Sequence, residues 1–235
     1  MITLYGTASP NVTKILLALE ELELLYRIER RDMIRGDGRR PEFLALNPNG
    51  KVPVIVDVDN SGEGPITVFE SGAILFYLAE KTGRFFPTSG TDRYTVMQWL
   101  MLQMSAIGPM FGQAIHFRNH ASEDDYATIR YRTEAFRLAD VLEHRLAICR
   151  YIGGEEYSIA DMAIFPWVRA LSKFLPSIQL GRATTRWRDV IEARPAAIRA
   201  LEQADALSRA DAESLRSAST DDLDRYYARG RYGRP

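Results

Sequence analysis

The residues that most constrain the fold run from Asn49 to Glu80, and their centre is Val52-Pro53. A residue before proline is biased toward extended backbone, and X–Pro is the one bond where a cis peptide is cheap. Val54 to Val56 read as a buried strand, which puts Val52 at the turn entering it. There its N–H and C=O are placed to pair with an extended peptide ligand, a strand addition on a very small scale. Seventeen residues after the proline comes Glu70-Ser71-Gly72, where the apolar pattern changes from strand to helix. Ser71 is a good helix N-cap, and the first-turn amides behind it form an anion site. Glu70 beside that site accepts an ammonium. A zwitterionic amino-acid end joined to a short peptide satisfies all three features.

The rest of the chain fits around this stretch. Ile2–Tyr5 is a short strand, residues 6–10 a loop, and residues 11–24 a helix with Ile15, Leu16, Leu19 and Leu22 at helical spacing. Residues 26–29 alternate as a second strand, and residues 30–41 form a charged loop. A short helix over 41–46 follows, and residues 60–65 (NSGEGP) supply a hairpin turn. Strand, helix, strand, helix, strand, hairpin, strand, helix is a thioredoxin-like order. From Thr91 the pattern is helical: 93–113, interrupted at Gly108-Pro109, then 123–150, then further helices to about residue 204. The expected architecture is an α/β thioredoxin-like domain over residues 1–83, an all-α domain over 91–205, and an extension over 206–235.

Thioredoxin-like domains that do redox work carry paired cysteines at the first helix, whereas this loop reads Thr7-Ala8-Ser9-Pro10-Asn11. Cys149 is the sole cysteine of the chain, so the first domain supplies no thiol, disulfides within the chain are impossible, and a reducing cytoplasm is the simplest setting. Cys149 itself reads as a buried structural thiol. Any sulfur chemistry must come from a bound thiol. Ser9 and Asn11 could donate hydrogen bonds that favour its thiolate, or simply cap the helix. Met97, Met101, Met104 and Met110 line the long helix, as core packing or as an adaptable ligand face. His116 and His120 are four residues apart, but no further ligands for a metal are evident. Ser158 and Asp161 form a capping pattern, which makes Asp161 a folding residue.

With a formal net charge of −1 there is no field that favours nucleic acid or an acidic membrane, and no apolar run reaches membrane-spanning length. The opening residues lack the basic and apolar regions of a signal peptide. Beyond Ser208 the chain is polar, and residues 226–235 mix arginine with tyrosine. Such a mix can stack on nucleic acid. Asp221, Asp222 and Asp224 favour instead a tail that is flexible or that packs on its own domain or on a partner subunit.

Val52-Pro53 followed by Glu70-Ser71-Gly72-Ala73-Ile74 resembles the glutathione-binding half of glutathione transferases. The motifs around Ser9-Pro10-Asn11, Asn47 to Pro53 and Phe69 to Leu75 are similar to bacterial nu-class transferases, relatives of the yeast nitrogen-regulator prion protein. The likeness continues through Gln98-Trp99, residues 108–113 and residues 157–161. It implies glutathione as co-substrate, without a metal, and a homodimer of the transferase fold. It implies Ser9 and Asn11 at the sulfur, and Lys51, Val52, Pro53, Glu70, Ser71 and Arg130 among the glutathione contacts. Arg130 also reads as a solvated helix charge. A glutamine of the class matches Gly38 here, so one contact is lost unless Arg39 or Arg40 replaces it. The implied activity is glutathione-dependent disulfide oxidoreduction on a small disulfide. Its rivals are conjugation to an electrophile and a non-catalytic regulatory module.

Overall fold

A computed structural model describes residues 1–59, 62 and 64–229. The chain forms two compact units: Met1–Ile74 together with the chain from Arg199 onward, and Leu75–Ile198. These limits differ from the expected divisions at 83, 91 and 205.

In the first unit, strand β1 (Ile2–Gly6) leads into helix α1 (Pro10–Glu21) and strand β2 (Tyr26–Arg30). Ser9 caps α1, accepting the Val12 N–H at 3.2 Å, and Pro10 occupies the first turn, where a missing N–H costs nothing. Ile15, Leu16 and Leu19 are fully buried, as their spacing requires. The helix stops at Glu21, short of the expected Leu24, because Glu23 turns left-handed with φ 56°. A 3-10 turn (Asp37–Arg39) and a short helix α2 (Pro41–Leu44) precede strands β3 (Val54–Asp57) and β4 (Ile66–Phe69). The sheet order is β2-β1-β3-β4, with β1 and β2 parallel and the other pairs antiparallel. This is the thioredoxin-like arrangement. The turn between β3 and β4 is described only in part, since Asn60, Ser61 and Glu63 lie outside the described residues; Gly62 and Gly64 take φ 94° and 86°. Helix α3 (Ser71–Thr82) begins at Ser71 itself, one residue before the start that an N-cap serine would give.

The second unit is helical: α4 (Gly90–Leu102), α5 (Gly108–His120), α6 (Tyr126–Ile148), α7 (Ile159–Phe174) and α8 (Arg182–Glu192). The interruption expected at Gly108-Pro109 lies just upstream, as a π-helical turn over Gln103–Ile107. Pro109 has no N–H for the carbonyl one turn back, and the wider turn absorbs the mismatch. Met97, Met104 and Met110 are half-buried and Met101 is exposed. Cys149 also departs from expectation: it follows α6 and is half-buried, beside a cavity lined by Arg150, Arg186, Trp187 and Val190. The capping box at α7 is formed. Asp161, wholly buried, accepts from Ser158 N, Ser158 Oγ, Ile152 N and Trp187 Nε1.

Helix α9 (Pro195–Arg216) carries the chain from the second unit back into the first, and α10 (Thr220–Tyr226) follows. The polar stretch from Ser208 is thus helical through Arg216. It is tied to the first unit: Arg35 pairs with Asp222 at 3.1 Å and donates to Ser217 Oγ at 2.9 Å. Arg199 pairs with Glu20 at 2.6 Å. Residues 230–235, which hold part of the arginine–tyrosine mix, lie outside the described residues.

Candidate functional site

Strand register gathers the motifs. Tyr5 is paired with Val54, and Val54 with Phe69. The loop Thr7–Asn11 leaves the end of β1, Val52-Pro53 enters the start of β3, and Glu70-Ser71 leaves the end of β4. All three therefore emerge at the same end of the sheet. Arg30 joins them, because it ends β2 opposite Gly6.

Each piece is held by its own chemistry. Val52 stands two residues before the paired part of β3, half-buried, and the Val52–Pro53 peptide is cis. The preceding turn is shaped by Asn47, only 1% exposed, which donates to Lys51 O at 2.7 Å and accepts the Asn49 N–H at 3.0 Å. Lys51 is exposed. Glu70 is exposed in a left-handed conformation, φ 68°, immediately before α3. Ser71 is buried, and its hydroxyl accepts from Lys14 Nζ at 3.2 Å. A hydroxyl that accepts from an amine keeps its own proton to donate.

Lys14 is 1% exposed. Burial drives its pKa down to about 7, with the Glu70 carboxylate opposing the fall. In the first loop, Ser9 Oγ serves as the α1 cap and its hydroxyl proton is left to donate; Asn11 is half-buried in the first turn. The capping reading of Ser9 is therefore realised, and it is compatible with a second role.

Beside this end lies the 31–40 loop. Gly38 is buried against Gly50, and a Cβ at Gly38 would stand 2.4 Å from Gly50 O. No side chain fits there without a backbone shift. Arg40 is engaged with Asp37 at 2.7 Å, while Arg39 is exposed. Arg130 lies in the second unit, exposed on α6. Among the described residues no group of three or more His, Cys, Asp or Glu is arranged to hold a metal, and no helix is long and apolar enough to cross a membrane. The His116 and His120 rings are tilted at 44° to one another, with centroids 4.8 Å apart.

Family models for the glutathione S-transferase N-terminal domain and C-terminal domain match residues 8–81 and 100–195. The disulfide-bond oxidoreductase YfcG of Escherichia coli is 46% identical over 204 residues, covering 86% of this chain and 94% of that protein. The chain belongs to the glutathione transferase family. Among solved structures, a glutathione transferase family member from Pseudomonas fluorescens with two glutathione bound has a TM-score of 0.79 and 40% identity, over 86% of this chain and 92% of that one. A glutathione transferase from Pseudomonas putida, with one glutathione disulfide bound per subunit, has a TM-score of 0.79 and 39% identity, over 85% and 90%.

Within this transferase fold the residues singled out from sequence fall into two sets. Ser9, Asn11, Lys51, Val52, Pro53, Glu70 and Ser71 belong to elements that converge at one sheet end; Arg130 belongs to the other unit. Two residues were missed. Lys14 carries a signal in sequence, a charge amid the apolar run of α1, since lysine is almost never fully buried without a reason. Asp211, which contacts Thr7 and Ala8, gives none, because it lies 204 residues from Thr7.

Proposed function

We propose that this transferase reduces disulfides with glutathione, in line with its Escherichia coli relative, a disulfide-bond oxidoreductase. The observation that carries the reading is the convergence of three recognition pieces at one sheet end, on a first loop without cysteine. Glu70 accepts the ammonium of the γ-glutamyl group. Ser71 and the first-turn amides of α3 receive its carboxylate. Val52 pairs with the cysteinyl backbone, and Lys51 and Arg39 lie toward the remaining carboxylate; Arg39 is favoured over Arg40, which is held by Asp37. Ser9 and Asn11 donate to the sulfur.

Hydrogen bonds to a thiolate lower its pKa from about 8.5. The thiolate attacks one sulfur of a small disulfide, the S–S bond breaks, and the departing thiolate takes up a proton. A second glutathione attacks the resulting mixed disulfide and releases the other thiol. Two glutathiones are thereby oxidised to one glutathione disulfide, and one substrate disulfide is reduced to two thiols. We assign the protein to the nu-like branch, as a cytoplasmic homodimer, on the likeness to its relatives and on its single cysteine; sedimentation at micromolar concentration tests the dimer.

The deciding assay follows glutathione-dependent reduction of hydroxyethyl disulfide, beside calorimetric titration with reduced and oxidised glutathione. Asn11→Ala is expected to slow turnover more than it weakens binding, because the bond matters most to the charged sulfur. Cys149→Ser is expected to leave turnover intact. Loss of activity in Cys149→Ser overturns the mechanism. Binding without disulfide reduction or conjugation would favour a regulatory module.

A further inference from the structure

The end of α9 reaches into the loop that carries Ser9 and Asn11. Asp211, 9% exposed, accepts Thr7 Oγ1 at 2.5 Å and Ala8 N at 2.8 Å, both on Oδ2. Its other oxygen accepts Arg30 Nε at 3.0 Å and Arg30 Nη2 at 2.8 Å. Arg30 in turn donates to Ser214 Oγ at 2.9 Å, and Ser214 donates to Asp32 Oδ2 at 2.5 Å. Asp211 and Ser214 are three apart and share one face of α9.

The two carboxylate oxygens divide their work. One meets the arginine at the end of β2, and the other meets the two residues immediately before the α1 cap. Docking the tail does not require the second contact, because Arg35 with Asp222 and Ser217, and Arg199 with Glu20, already tie the tail to the same unit. What the second contact does is fix the backbone from which Ser9 and Asn11 project. Charge-assisted bonds are the short, strong ones suited to that task. Arg30, shared between Asp211 at 2.8 Å and Asp32 at 3.4 Å, offsets part of the negative charge that holding the loop brings near a thiolate.

We propose that Asp211 is a positioning residue for the chemistry on glutathione sulfur, holding Thr7 and Ala8 so that Ser9 and Asn11 meet that sulfur in register. The inference rests on the reading that Ser9 and Asn11 serve the sulfur. It assigns to α9 a part in turnover, not only in stability.

The test uses the full chain, with hydroxyethyl disulfide and glutathione as substrates and calorimetry for glutathione affinity. Asp211→Asn is expected to lower kcat about tenfold, since small displacements of positioned groups carry such losses, while affinity at Glu70 and Ser71 changes less than twofold. Asp222→Asn cuts a different tie of the same tail and is expected to leave kcat unchanged. Thr7→Val removes one donor without altering charge and is expected to lower kcat about threefold; it decides the matter where Asp211→Asn does not fold. Equal kcat losses in Asp211→Asn and Asp222→Asn would reduce Asp211 to an anchor and overturn the proposal. So would unchanged kcat in Asp211→Asn or Thr7→Val beside a slowed Asn11→Ala. If Asn11→Ala itself turns over normally, the sulfur-side reading fails and the positioning role falls with it.

Discussion

Glu70 occupies a backbone conformation, φ 68°, that costs a non-glycine residue roughly 1–2 kcal/mol. Strain of this kind persists where the surroundings over-determine it, often at ligand sites. Here it sets the carboxylate beside the start of α3. Glu70→Ala is expected to weaken glutathione binding about tenfold or more by calorimetry, because the ammonium loses a charge-assisted partner. Unchanged affinity would exclude this residue as the ammonium acceptor. Lys14 gives a pH signature. Its amine loses a proton near pH 7 in the folded chain and near 10.5 in the unfolded one. Between those values the unfolded state binds more protons, so the contribution to stability is greatest above 10.5 and is lost as pH falls toward 7. Urea midpoints of the unliganded protein should rise from pH 7 to 10, and Lys14→Met should flatten that rise. A slope unchanged by the substitution would dissociate it from Lys14. The change from strand to helix at Glu70-Ser71 was legible in the sequence because it is local, although Ser71 lies inside α3 and not at its cap. The burial of Lys14 was not, since it depends on the contact with Ser71 across 57 residues.

At the scale of elements, local rules gave the order of strands and helices, and packing decided where they end. The first helix stops at Glu21 because Glu23 turns left-handed. Proline signalled the break in the long helix of the second unit, but the mismatch settled upstream at Gln103–Ile107. The capping box at α7 was readable from Ser158 and Asp161, whereas the bond from Trp187 Nε1 at 2.8 Å was not. Asp161→Asn leaves buried donors without acceptors, at about 1–3 kcal/mol. Melting temperature should fall by about 3–10 °C, measured by circular dichroism. A shift below one degree would mean the box is dispensable. Gly38 shows the limit of reading a loop by likeness alone. The likeness placed a lost glutamine contact there, and the structure adds that the backbone of Gly50 leaves no room for a side chain. Gly38→Ala should destabilise the fold by about 1–3 kcal/mol in urea titration, as overpacking does. A neutral effect would show that the loop yields.

For the whole molecule, the family likeness was visible in the sequence because motifs such as Val52-Pro53, Glu70-Ser71 and Ser158 to Asp161 lie within the matched segments. The course of the chain beyond residue 205 was not, because nothing in a polar helical stretch names the surface it meets. Asp211, Ser214 and Asp222 acquire meaning only against Thr7, Arg30, Asp32 and Arg35. The first unit is consequently discontinuous in sequence. A fragment ending at residue 90 should show poor chemical-shift dispersion by NMR, since Thr7, Arg30 and Arg35 lose these partners. Well-dispersed spectra would show that the sheet and its helices stand without α9.

The tie between Thr7 and Asp211 spans 204 residues, and that distance is also an interval of time. At about 5–20 residues per second, a ribosome needs about 10–40 s between adding the first of these residues and the second. The loop bearing Ser9 and Asn11 is made well before the carboxylate that bonds to it. During that interval the sheet can form and the turn at Val52 can close, while the loop at Thr7 lacks its carboxylate partner. On the proposed role of Asp211, competence for chemistry waits until α9 has been made, after the strands that bring the other pieces together.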